Sequence, residues 1–117
     1  MGWADPYIKA LQHNGFVTFN APNGKSMQGK IDPGDTVNVI AYLFPVYEVG
    51  DIVLCKVSGN QYLHLISAVD KERQRVQISN NKGHINGWIK FENIYGICTS
   101  VNDKVLWTKE ELLGRVE

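Results

Sequence analysis

At 117 residues the chain is near the common size of one domain and too short for two ordinary ones. A hydrophobic share of 44% against a charged share of 21% is the balance of a chain that buries a core, not of a disordered one. Twelve Lys and Arg offset twelve Asp and Glu, giving a formal charge of zero, which argues against binding of DNA or RNA driven by phosphate contacts.

The first element is a short capped helix in the segment Asp5 to Gly15: an acceptor side chain, Asp5, precedes Pro6 at the first helical position, and Gly15 follows the last helical residue. From Phe16 the pattern changes to short runs of β-branched and aromatic residues. These predict strands at 16–19, 36–42, 51–57, 62–69, 75–78, 87–91 and 94–101. Turn chemistry separates them: Pro22-Asn23-Gly24, Asp32-Pro33-Gly34-Asp35, Ser58-Gly59-Asn60, Asp70-Lys71-Glu72-Arg73 and Asn80-Asn81-Lys82-Gly83. Thr108-Lys109-Glu110-Glu111 is a capping box that opens a short C-terminal helical turn. The expected architecture is therefore mainly β, a twisted antiparallel, partly closed sheet or barrel with a short helix at each end, in one domain spanning 1–117.

No run approaches the ~18 apolar residues needed to span a bilayer. Met1 to Asp5 lacks the basic and apolar regions of a secretory signal, so the expected location is cytoplasmic and the protein soluble. Cys55 and Cys98 sit in apolar runs without CxxC spacing and read as buried free thiols. His13 ends a helix and complements its C-terminus. His84 lies in a glycine- and asparagine-rich turn with no third clustered ligand, so no metal site and no cofactor is expected. Lys71 to Arg75 reads as a solvated hairpin tip. Trp3, Trp88 and Trp107 with Tyr42, Phe44 and Tyr47 can serve as an aromatic platform or as core and cover. The apolar connection Ala41 to Val49 contains Pro45, which argues against a central strand; it reads as an edge or loop over a groove, or an oligomer contact.

Three features carry chemistry when taken together. Ser26-Met27 stands in a turn-rich loop that ends at Gly34-Asp35; Gly50-Asp51-Ile52-Val53 launches a strand; and Tyr62-Leu63-His64-Leu65 places one imidazole in an otherwise apolar strand. In this combination the chain resembles the superfamily of serine peptidases that includes LexA-type repressors, UmuD-like proteins and signal peptidases, over about Gly15 to Val101. The resemblance implies a LexA/signal-peptidase fold and peptide-bond cleavage, with Ser26 as nucleophile and His64 as general base, the base being His as in archaeal and endoplasmic-reticulum signal peptidases. Met27 and Tyr62 become the expected substrate-binding residues, and Gly24 and Gly29 permit a turn whose N–H groups face an oxyanion.

The chain departs from the family pattern at Gly29, where Pro is usual, and at Leu65, where Arg follows the His of the His-type members. The later turn, Ser79 to Trp88, has no acid to orient the base. This leaves Asn81 or Asn86 to do so by hydrogen bonding. Neither a membrane anchor nor a helix-turn-helix unit is legible, so the expectation is a stand-alone module of the kind a phage or mobile element carries. Its partner is a peptide or protein substrate, or, if the chemistry is lost, a host protein that it binds or blocks. A nucleic-acid-binding β-barrel is the weaker alternative.

Overall fold

In a computed structural model, which describes residues 2–42, 44 and 46–116, helix α1 (Asp5–Asn14) precedes strands β1 (Phe16–Asn20), β2 (Thr36–Ile40), β3 (Ile52–Val57), β4 (Asn60–Asp70), β5 (Arg75–Ser79), β6 (Ile85–Lys90), β7 (Ile94–Val101) and β8 (Lys104–Val105). Helix α2 (Lys109–Gly114) follows. The strands form one antiparallel sheet in the order β1-β2-β7-β3-β4-β5-β6, with β8 added on β7.

Strand β3 lies at the middle and is buried on both faces, which is why Ile52-Val53-Leu54-Cys55 reads as an unbroken apolar run. Ile52 and Leu54 join the core under α1, with Ile8, Leu11, Phe19, Val37, Val39 and Cys98. Val53, Cys55 and Val57 join the other, with Ile66, Val76, Ile78, Ile89 and Leu112. Both cysteines are free and buried, and desolvation pushes each thiol up to about 12.

The expected partial closure is not found. The sheet is open, with β1 and β6 at its two ends. It bends back on itself over its second half, however, and register shifts interrupt β2 and β3 on β7 as well as β4 on β5 and β5 on β6. Gly87 of β6 thereby comes against β3, and a Cβ at that position would lie 3.2 Å from Val57.

The helices form where expected, with one correction. Gly15 closes α1 at φ 83°, its N–H donating to the Leu11 carbonyl at 2.9 Å. At the other end the N-cap is Ala4 and no side chain caps it. Asp5 is already helical, and its carboxylate accepts instead from the Gly2 N–H (3.0 Å) and from Gln61 Nε2 (2.6 Å). The capping box of α2 has both of its bonds, Glu111 N–H to Thr108 Oγ1 and Thr108 N–H to Glu111 Oε1. The β4–β5 hairpin carries Lys71 to Gln74 exposed at its tip. Strand β8 was not foreseen, and the reading of Pro45 lies outside the described residues.

Arg115, just after α2, reaches back over the second core and meets Asp51, which has no exposed surface, in a two-pronged ion pair at 2.7 and 2.9 Å. The guanidinium also lies over the Trp107 ring, 4.3 Å from its centroid. Asp51 in turn accepts from the Glu48 N–H at 2.9 Å, so the Gly50-Asp51 turn that launches β3 is fixed from both sides.

Candidate active site

The long connection between β1 and β2, residues 21–35, is closed at its base by Ala21 N–H to Asp35 O (2.8 Å) and Gly34 N–H to Ala21 O (3.0 Å). Within it the chain makes a helical turn, Ile31 N–H donating to Met27 O at 2.8 Å. This spacing puts Met27 and Ile31 on one side, and both are buried in the core under α1. Ser26 precedes Met27 and stays exposed. Two apolar anchors thus hold a hydroxyl at the surface. Gly29 turns the loop at φ 97°, where a side chain would be strained and would crowd Asn81.

The β5–β6 connection supplies the other wall. Asn80 shapes it, its Oδ1 accepting from the N–H groups of Lys82 and His84, both at 2.9 Å. Asn81 ties it to the serine loop: its N–H donates to Ser26 O and its side-chain amide to Gln28 O, each at 2.8 Å.

His64, on β4, projects between these loops. Its Nε2 lies 3.1 Å from Ser26 Oγ, and its Nδ1 lies 2.7 Å from Asn86 Oδ1. An amide oxygen can only accept, so Nδ1 carries the proton and donates to Asn86. Nε2 is left with its lone pair toward the serine hydroxyl. The imidazole is 6% exposed. Burial pushes its pKa below the ordinary 6.5, against the opposing pull of the Asn86 hydrogen bond, and the charge of His84 pushes the same way as burial. Near neutrality the ring is therefore the free base. The Tyr62 ring covers it, with centroids 4.7 Å apart and planes at 33°.

A cleft of about 290 Å³ opens beside this line of groups, floored by Ala21, Met27, Ile31 and Leu63, with Trp3 and Gln61 at one end. The N–H groups of Ser26 and Met27 donate to no acceptor among the described residues.

The arrangement can take a proton from Ser26 as its oxygen attacks a carbonyl, the task of the serine–histidine pair in acyl transfer. The third group is an amide. Asparagine holds a histidine base in tautomer and direction, as in Cys-His-Asn sites, but adds no negative charge beside the imidazolium.

Of the expected site residues, Ser26, His64 and Asn86 are brought together in one line, with Tyr62 against the ring. Asn81 does not orient the base; its bonding groups are spent on the serine loop. Met27 is buried at 5% exposure and forms cleft floor and core rather than a free contact surface. The aromatic residues do not form one platform. Trp3 packs with Tyr7 and Phe19, Tyr47 with Tyr42 and with Phe91, Trp107 lies under Arg115 and Trp88 under Arg75.

Sequence reasoning missed Asn80, Gln61 and Trp3 at the site, whose parts are set by contacts across 4 to 58 positions. His84 is exposed, and among the described residues no three His, Cys, Asp or Glu side chains are grouped to hold a metal. A larger apolar groove of about 640 Å³, bordered by Phe16, Ile40, Phe44 and Leu113, lies away from these groups. No helix among the described residues is long and apolar enough to cross a membrane.

Comparison of the chain with protein-family models, with curated proteins and with solved structures finds no match.

Proposed function

We propose that the chain is a serine peptidase-like domain of the LexA/UmuD/signal-peptidase type, cleaving peptide bonds with Ser26 as nucleophile and His64 as general base. One observation carries the reading. The exposed hydroxyl of Ser26 stands 3.1 Å from the unprotonated nitrogen of a buried imidazole whose other nitrogen is already engaged.

Ser26 Oγ attacks the substrate carbonyl and its proton passes to His64 Nε2. The resulting oxyanion faces the Ser26 and Met27 N–H groups. As the C–N bond breaks, His64 returns the proton to the leaving amine, and an ester remains on Ser26. Water, deprotonated by the same nitrogen, then hydrolyses the ester and frees the acid and the serine. An extended peptide has a place to lie: β5 pairs with β4 only from Leu65 onward, so the β4 stretch ending at His64 has a strand on one side only.

A second reading is favoured by one specific observation, the amide at position 86. With no carboxylate behind the imidazole, the same fold serves as an inactive binding or inhibitory protein that engages a target through this cleft. Treatment with a fluorophosphonate, read by intact mass, separates the two. A single adduct on the wild type, absent from Ser26→Ala and His64→Ala, is the outcome expected of the peptidase. A wild type as silent as both variants leaves the binding protein.

A further inference from the structure

The edge of β4 beside the serine is short, and one end of it is already taken. Val57 and Asn60 flank the two-residue turn Ser58-Gly59 and pair with each other, as Cys55 does with Tyr62 and Val53 with His64. In such a hairpin the pair next to the turn exchanges hydrogen bonds and the pattern alternates from there. Residues 60, 62 and 64 therefore direct their main-chain groups to β3, and 61 and 63 direct theirs outward. Leu65 is covered by Ser79 of β5.

At Gln61 the outward carbonyl accepts a hydrogen bond from the Trp3 indole N–H at 3.0 Å. The contact is braced. The Ala4 N–H donates to Gln61 Oε1 at 2.8 Å, Gln61 Nε2 donates to Asp5 Oδ1 at 2.6 Å, and the indole leans on Phe19 with centroids 6.0 Å apart. A Cβ at Gly2 would lie 2.0 Å from Gln61 Oε1, so the turn before α1 sits directly on this amide.

We propose that Trp3 is a specificity-determining residue: it closes the far end of the cleft, so that the acyl part of a peptide is read along β4 only at the residue facing Leu63. The inference rests on the Ser26/His64 reading and deepens it. A substrate strand exchanges two hydrogen bonds with Leu63 and then meets the indole. Residues further along must turn away from the sheet and add no main-chain bonds. The substrate class is a peptide recognised over the few residues next to the scissile bond.

The test is a series of N-acetylated peptidyl phosphonate esters with one to five residues, all small, measured for rate of inactivation beside a plain fluorophosphonate. For the wild type the rate should rise up to the residue that faces Leu63 and then stay level within about twofold. In Trp3→Ala the next residues should raise it by about fivefold, the worth of one main-chain hydrogen bond. Trp3→Phe keeps a ring against Phe19 while freeing the Gln61 carbonyl, and should show part of that gain if the alanine variant folds poorly. A wild-type rate that keeps climbing with length, or identical length profiles in all three proteins, overturns the role of Trp3 while fluorophosphonate labelling still upholds the serine–histidine pair. Silence toward the fluorophosphonate and every peptide removes that pair and the proposal with it.

Discussion

His64 is held as a free base by where it sits, and three outcomes can be measured around that residue. The rate of fluorophosphonate labelling should rise with pH along a limb whose midpoint lies below the ordinary 6.5, because burial disfavours the imidazolium. Asn86→Ala removes the acceptor at 2.7 Å from Nδ1. The ring is then free to turn and to exchange tautomers, so labelling should fall about tenfold to a hundredfold with the adduct still on Ser26. Asn86→Asp puts a negative charge beside the imidazolium and should move the midpoint upward. An unchanged midpoint in that variant means that the 64–86 contact does not tune the base. The residues at this centre differ in how far they could be read in advance. The Ser26–His64 contact was expected only from the resemblance, which pairs a hydroxyl beside Met in a turn with one imidazole among Leu and Ile; by residue type alone the two read as a turn serine and a sheet histidine. The division of labour among Asn80, Asn81 and Asn86 was not legible, since three amides in one turn differ only by the direction in which the folded loop points them.

At the scale of elements, strand and helix positions followed from alternation and turn chemistry, with shifts of no more than two residues at the ends. Thr36 to Tyr42 was expected as strand, yet β2 stops at Ile40. Beyond it Ala41 donates its N–H to Gly15 O at 2.8 Å, leaving the ladder on β7 to close the gap under α1. The ion pair that fastens the end of the chain had no signature at all, since Asp51 and Arg115 are 64 positions apart. Arg115→Met should destabilise the protein by about 3 kcal/mol, because it leaves the Asp51 carboxylate buried and unpaired. Adding Asp51→Asn should return part of that loss, as a neutral amide is cheaper to keep from water. Denaturant midpoints of the two variants decide it. Equal midpoints would mean that the pair contributes only through packing.

Across the whole molecule, the open sheet corrects the expectation of partial closure. Strand count and spacing specify neighbours, but closure depends on accumulated curl, which register shifts along the sheet, those at Ile66/Ala68 and Ile78/Ser79 among them, accompany and no short motif encodes. The same curl brings β6 and its Asn86 to β4 and so completes the site. Global stability should carry a trace of it. With the folded pKa of His64 below 6.5, the unfolded chain takes up a proton first as the medium is acidified. Stability present above about pH 6.5 is therefore lost as pH falls toward the folded value, at about 1.4 kcal/mol per unit of depression. Midpoints measured between pH 7.5 and 5 should drop in the wild type and drop less in His64→Gln. Parallel curves for the two proteins would contradict the burial of that ring in its uncharged form.

The tie from the Asn81 N–H to the Ser26 carbonyl has one more consequence. It joins the loop that bears the Ser26 hydroxyl to the connection that leads into Asn86, the partner of His64, so opening of either segment is felt by the other. Local opening unseats both contacts of His64 in a single event, and the exchange lifetime of that one amide hydrogen is a clock for how long the Ser26–His64–Asn86 line stays assembled.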